Sequence, residues 1–409
     1  MLNWANRFNI FCLLDNQQYH FETPAFECLL AVGCREKIAI NAGNAFATLT
    51  QFYSKQNDWL FGHIGYDIKN EVEQLGSQNF DGIKFPDICF FVPEIILQLN
   101  NQQLTIFYEE GTAEEIIDAI KNASGIVKAL PINPVYIKSR FTKTEYIDSV
   151  NTVRQHILRG DCYELNFCQE FFAEDISIDP LSVYHHLVDF SPNPFSALYK
   201  LNDKYCICAS PERYLKRTGN KIISQPIKGT AKRDLQDAAT DDANKQALIN
   251  SAKERSENVM VVDLVRNDLS KICIEDSVHV TELMGIYSFP QVHQMISTVS
   301  GEVTSETNWI DIIKATFPMG SMTGAPKKKV MQLIEQFEKT KRGLFSGAVG
   351  YIKPDGDFDF NVVIRSILYN QTTEYLSFQV GSAITFYSDA EKEYEECLLK
   401  AEAIVKVLE

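Results

Sequence analysis

The sequence predicts an α+β protein built on antiparallel sheets, on three observations. Stretches with strand character and stretches with helical periodicity come in blocks rather than in strict alternation, which argues against a doubly wound parallel sheet. The chain has 409 residues, 45% hydrophobic and 23% charged, an ordinary globular composition with ample length for a large core. No internal repeat and no low-complexity segment interrupts it.

Taken in order, Arg7 precedes the short run Phe8-Asn9-Ile10-Phe11-Cys12-Leu13-Leu14, which meets Asp15 without a small-residue cleavage site. It reads as a first β-strand, with a secretory signal as the alternative. Residues 94–99 and 103–109 read as a strand pair turning at Asn100-Asn101, and 113–123 has helical periodicity. The two prolines of Leu130-Pro131-Ile132-Asn133-Pro134 mark a linker. They divide the chain into an N-terminal region, 1–135, packed onto a second region, 136–409. A helix follows Thr142, with Tyr146 and Val150 on one face and Gly160 as its stop. Strands are expected over 162–172 and 205–209, the latter with Cys206 and Cys208 on one face and Ile207 opposite. Further helices are expected over 241–269, 309–317, 326–337 and 390–408, and strands over 348–352, 360–369 and 375–384.

A net charge of -15 argues against nucleic acid or an anionic membrane as the main partner. No apolar run approaches the roughly 18 residues that span a bilayer. Ten cysteines are scattered without a C-x-x-C pair, which suggests reduced thiols and a cytoplasmic setting.

Several constellations are suited to chemistry. Lys228, in Gln225-Pro226-Ile227-Lys228-Gly229-Thr230, follows an apolar run and precedes a glycine, so it can point into a cleft. Desolvation or a neighbouring cation would make its amine a nucleophile, whereas taken alone it reads as a solvated surface lysine. Glu254 and Glu257, and again Glu393 and Glu396, are three apart on expected helices and share a face. Such oxygen-only sets suit Mg²⁺, and the competing reading is a solvated acidic surface. The turn from Phe317 to Lys327 enters a helix at Pro326 and reads either as an anion site or as a structural turn. Arg365 ends an apolar strand and is suited to two-point grip on a carboxylate, or to a surface ion pair. Gly381, Ser382 and Ala383 are small enough to let a ligand approach the backbone. Glu212, in Ser210-Pro211-Glu212-Arg213, lies at a strand end and is a candidate acid.

In combination these segments resemble the chorismate-utilising enzymes, which include anthranilate, aminodeoxychorismate, isochorismate and salicylate synthases. The stretches that carry the resemblance are Gly160-Asp161-Cys162-Tyr163-Glu164-Leu165-Asn166, Ser210 to Arg213, Pro226 to Thr230, Glu257 to Asp268, Gly320 to Lys327, Gly347-Ala348-Val349-Gly350-Tyr351 and Ile364-Arg365. The resemblance implies an antiparallel β-sandwich flanked by helices. It implies that Glu257 and Glu396 bind Mg²⁺ directly, with Glu254 and Glu393 near it, and that the metal holds the ring carboxylate of chorismate. Tyr351 and Arg365 would hold the enolpyruvyl carboxylate, helped by the backbone at Gly381 to Ala383. Gly229 and Thr230 would lie against the substrate, and Glu212 would protonate the departing 4-hydroxyl.

Lys228 is similar to the aminodeoxychorismate synthase branch, where anthranilate synthases carry alanine. It implies attack at ring carbon C2 followed by amination at C4. Gln294 aligns with a histidine of the anthranilate enzymes, and His293, one position away, is kept as a substrate-binding candidate. No cysteine sits in a Gly-x-Cys-x-Gly elbow, so ammonia would be free or come from a glutamine amidotransferase partner. The alternatives are an anthranilate, isochorismate or salicylate synthase, or a noncatalytic chorismate-binding subunit.

Overall fold

The structure is a computed structural model that describes residues 1–19, 26–123 and 135–409. The linker expected at 130–134 lies outside them. Among the described residues no helix is long and apolar enough to cross a membrane. All ten cysteines are free.

Two antiparallel sheets, of eleven and ten strands, face each other. Strands from the first hundred residues enter both. Ile10–Asp15, Cys28–Val32, Ile95–Asn100 and Gln103–Tyr108 extend the first sheet beyond Phe195–Leu201, and Glu36–Ile40, Leu60–Ile64 and Ile88–Val92 extend the second beyond Ala348–Ile352. Pleat alternation explains why so many strands are apolar throughout. Cys12 and Leu14 join the core between the sheets, while Phe11 and Leu13 join the core under the flanking helices. Cys206 and Cys208 face the first core and Ile207 the second, as the alternation predicts. Each fully buried large apolar side chain contributes about 1.5–3 kcal/mol relative to exposure.

Most expected elements are present. The hairpin pairs Asn100 with Gln103, and Asn101 and Gln102 both take positive φ, the geometry of a two-residue primed turn. The helix Lys143–Leu158 opens with a reciprocal capping box between Thr142 and Glu145. Two expectations need correction. The helix expected over 241–269 is two helices, Ala238–Asn250 and Ala252–Ser270. Ser251 leaves the helical region at the join and its hydroxyl accepts the Glu254 N–H, starting the second helix afresh. The strand expected over 360–369 is also two, Phe358–Asn361 in the second sheet and Ser366–Asn370 in the first. The chain crosses between sheets at Val362 to Arg365, and Arg365 takes φ +50° to do so.

Candidate active site

Four strand ends and two helix starts build the site. Lys228 lies on the strand Ile227–Lys232, at a register break opposite the strand Val292–Glu302. Gly229 beside it has φ +96°, and a Cβ there would stand 3.2 Å from Glu254 Oε2. Its absence lets the helix Ala252–Ser270 pack closely over this strand. The Lys228 ammonium donates to Glu164 Oε1 at 2.9 Å, with the two side chains 13% and 4% exposed.

Burial acts to lower the Lys228 pKa, as the sequence suggests, but the carboxylates of Glu164, Glu257 and Glu212 outweigh it and the net direction is up. The lysine is therefore held as an ammonium, because its neighbours are acids rather than another cation.

Glu212 is buried at the end of the Lys204–Ser210 strand, where its carbonyl accepts the Val362 N–H at 3.0 Å. Burial pushes its pKa up to about 7, against the lowering influence of the Ser321 hydroxyl, Lys228 and Arg365. Ser321 donates to its Oε1 at 2.6 Å. A carboxyl with this pKa carries a proton to give near neutral pH. Arg365 is pinned at the sheet crossing, where its carbonyl accepts from Ala209 at 3.1 Å. Its left-handed backbone costs on the order of 1–3 kcal/mol, a kind of strain that clusters at functional positions. Among the described residues no carboxylate forms an ion pair with it. Burial lowers its pKa, with Glu212 and Tyr19 acting the other way.

The second half of the site is carried by helices. Glu254 lies in the first turn of Ala252–Ser270 and Glu393 in the first turn of Ala390–Leu408. Acids there are favoured by the positive helix ends, which offsets part of their mutual repulsion. Glu257 and Glu393 are buried, and Glu257 Oε1 and Glu393 Oε2 meet no hydrogen-bond donor. The Lys253 ammonium stands 3.9 Å from Glu257 and 3.7 Å from Glu393. Its pKa, which burial acts to lower, is raised on balance by Glu393, Glu257, Glu396 and Glu254 together. All four acids thus act on one cationic spot, the Lys253 ammonium.

Burial raises Glu254, and raises Glu257 to about 7. Burial also acts to raise Glu396, but Lys400, 2.7 Å away, brings it below its ordinary value. The unpaired buried oxygens and the oxygen-only donors fit Mg²⁺. Among the described residues no three metal-ligating side chains close into a cage.

The other expected residues divide. Thr230 is exposed and registers opposite Gln294. Gly381, Ser382 and Ala383 pair with Cys168, Phe167 and Asn166 along one edge of their strand. The neighbouring strand on the other side pairs only as far as Ser377, which leaves their second edge without a ladder. His293 has partners of its own. It is buried, its Nδ1 meets the Ser288 hydroxyl at 2.8 Å and its Nε2 meets Asp241 at 3.1 Å. Side chains alternate along a strand, so His293 and Gln294 point to opposite faces. Gln294 is fully buried with both amide atoms unpaired.

Tyr351 faces the space between the sheets. Its ring packs against Trp59, Phe61 and Phe26 and lines a small inter-sheet cavity with Leu14, Asp15 and Phe195. The turn from Phe317 to Lys327 is tied down on one side and reaches Glu212 on the other. Lys327 donates to the Thr316 and Pro318 carbonyls at 3.2 and 2.8 Å and pairs with Asp268, while Ser321 reaches Glu212.

Glu164, Ser321 and Lys253 were not singled out by sequence reasoning. The first two lie within stretches that carry the resemblance, but their partners are distant in sequence. A groove of about 740 Å³ elsewhere, lined by Lys37, Asn41, Asp87 and Lys341, contains none of the site residues.

Comparison with known proteins identifies the family and the fold. The chain matches the chorismate binding enzyme family over residues 10–406. It is 34% identical over 365 residues to the chloroplastic aminodeoxychorismate synthase of Arabidopsis thaliana, covering 84% of this chain but 39% of that protein. It is 31% identical over 362 residues to aminodeoxychorismate synthase component 1 of Bacillus subtilis, covering 85% of this chain and 76% of that one. The fold matches the crystal structure of anthranilate synthase component I from Streptococcus pneumoniae, with a TM-score of 0.81 and 26% identity over 95% of this chain and 94% of that one.

Proposed function

This chain belongs to the chorismate binding enzyme family, and we propose that within it the chain converts chorismate and ammonia to 4-amino-4-deoxychorismate, as an aminodeoxychorismate synthase component. The observation that carries this reading is Lys228, a largely buried amine set between Glu164 and the proton-bearing Glu212. A lysine so placed splits one difficult substitution into two easier ones. Its amine bonds to C2, the ring double bonds shift, and the C4 hydroxyl leaves as water with the proton of Glu212. Ammonia then adds at C4 and the bond from C2 to Lys228 breaks. The pyruvate arm stays attached.

Arg365, without a carboxylate partner among the described residues, grips a substrate carboxylate, and the open edge at Gly381 to Ala383 supports it. Glu257 and Glu396 would hold Mg²⁺, with Glu254 and Glu393 near it. When bound, the ion neutralises and positions the ring carboxylate. Ammonia comes from a glutamine amidotransferase partner, in keeping with the component 1 name of the B. subtilis relative. Ten free cysteines suit a reducing, cytoplasmic setting.

The test is incubation of the protein with chorismate, Mg²⁺ and ammonium, with products identified by mass spectrometry and Lys228→Ala run alongside. 4-Amino-4-deoxychorismate from the parent and none from the variant supports the reading. Anthranilate, isochorismate or salicylate as product overturns it.

A further inference from the structure

The reaction needs Lys228 as a free amine, yet the site holds it as an ammonium. An ammonium has no lone pair, so a base must take a proton from Nζ before C2 is attacked. We propose that Glu164 is that base: it orients the Lys228 Nζ and receives its proton, so that Glu164 and Glu212 flank one lysine as base and acid. The inference rests on the amination reading above.

Three observations carry it. Glu164 accepts the hydrogen bond from Nζ at 2.9 Å, and among the described residues it is the carboxylate within bonding distance of that amine. The other acids that act on Lys228 are committed elsewhere. Glu212 is bonded to Ser321 and must keep its proton for the leaving hydroxyl, while Glu254, Glu257 and Glu396 belong to the cation spot.

Glu164 is also held rigidly. It opens the strand Glu164–Ala173, pairs with Ala325, and is crossed so closely by Gly324 that a Cβ there would lie 2.0 Å from the Glu164 carbonyl oxygen. Tyr163 donates to the Ala325 carbonyl at 2.8 Å, and Asn166 donates to the Ser321 carbonyl at 3.1 Å. One turn therefore sets the backbone of Glu164 and supplies the hydroxyl that holds Glu212. It keeps the two carboxylates in register with the lysine.

The protons balance. The Lys228 ammonium gives one proton to Glu164 and the freed pair forms the bond to C2. The C4–O bond breaks as Glu212 protonates the oxygen, releasing water. Ammonia adds at C4, the C2–N pair returns to Lys228, and Glu164 gives its proton back. The C4 ammonium then reprotonates Glu212 directly or through solvent.

The test uses the full chain with chorismate, Mg²⁺ and ammonium, comparing the parent with Glu164→Gln, Glu164→Ala and Lys228→Ala. Glu164→Gln is expected to lower kcat about a hundredfold or more while KM changes less than threefold. It slows appearance of the Lys228 adduct, read as intact mass in quenched samples without ammonium, by the same factor. Added formate is expected to restore part of the activity of Glu164→Ala, which a purely structural role would not allow. Parental kcat in Glu164→Gln, or faster turnover because the lysine is no longer held charged, overturns the proposal. If Lys228→Ala matches the parent, the amination reading itself fails and takes this inference with it. A parent that is active beside a silent Lys228→Ala and an unimpaired Glu164→Gln removes the inference alone.

Discussion

The strand-borne and helix-borne halves of the site differ in how complete they are. On the strands, Lys228 already has Glu164 and Glu212 already has Ser321, at 2.9 and 2.6 Å. On the helices, Glu257 and Glu393 each bury an oxygen with no donor, and Lys253 approaches without reaching hydrogen-bond distance. Unpaired buried acceptors cost on the order of 1–3 kcal/mol each, a cost that a bound cation would offset. In the proposed reaction the groups that break and make bonds are thus preorganised, whereas the groups that hold charge would be finished by what they bind.

The sharpest way to break that contrast is Glu212→Gln. If the strand half is ready for acid chemistry, product formation falls on the order of 10²- to 10⁴-fold. The parent rate should decline as pH rises through about 7, where Glu212 loses its proton, and the variant should lack that limb. Stability follows with a definite sign. Between the ordinary 4.5 and about 7 the folded carboxyl keeps a proton that the unfolded one has lost. Stability therefore falls as pH rises across that window. Glu212→Gln removes this loss, so at pH 8 its Tm should exceed the parent's. A lower Tm at pH 8 would mean that Glu212 is not the strained, proton-holding group described here.

The helix half is tested by the cation. Mg²⁺ at a hundred times its Kd should stabilise the fold by about 2.7 kcal/mol, and a chelator should remove both this gain and the turnover. Glu257→Gln should erase the Mg²⁺-dependent rise in Tm while leaving the metal-free Tm at or above that of the parent. A metal-free loss of stability instead would make Glu257 a structural partner of Lys253.

Much of this was legible in the sequence. Both carboxylate pairs, Glu212 and Lys228 lie on the elements where local pattern put them, because spacing on a helix and the end of an apolar strand are local properties. What stayed hidden depends on parity or on distant pairing. His293 and Gln294 differ by one position, and one position on a strand exchanges the buried faces. The break at Arg365 was hidden inside a continuous apolar run, since strands of both sheets are buried on two sides. Glu164 meets Lys228 across 64 residues, and no window of sequence sees that contact.

Gln294 gives a smaller effect and a direct test of that parity argument. Its buried amide has no partner, so Gln294→Leu should raise stability by about 1–3 kcal/mol in denaturant unfolding. The same change should weaken turnover, because the amide registers opposite Thr230 beside the lysine strand. A variant that gains stability without losing activity would place Gln294 outside the substrate's reach.

The smallest effect is expected at Tyr351, and a null result there is informative. The ring is held by Trp59, Phe61 and Phe26, and the ionisable groups that act on its hydroxyl are Asp359, Arg213, Asp357 and Asp355, none of them a site residue. Removing the hydroxyl in Tyr351→Phe keeps the aromatic packing, so kcat/KM for chorismate should stay within about twofold of the parent, a surface-sized change of under 0.5 kcal/mol. A tenfold rise in KM would show the hydroxyl on the substrate carboxylate after all. Arg365 would then share that anion with a residue from the inter-sheet core, and the boundary between the catalytic strands and their packing would have to move.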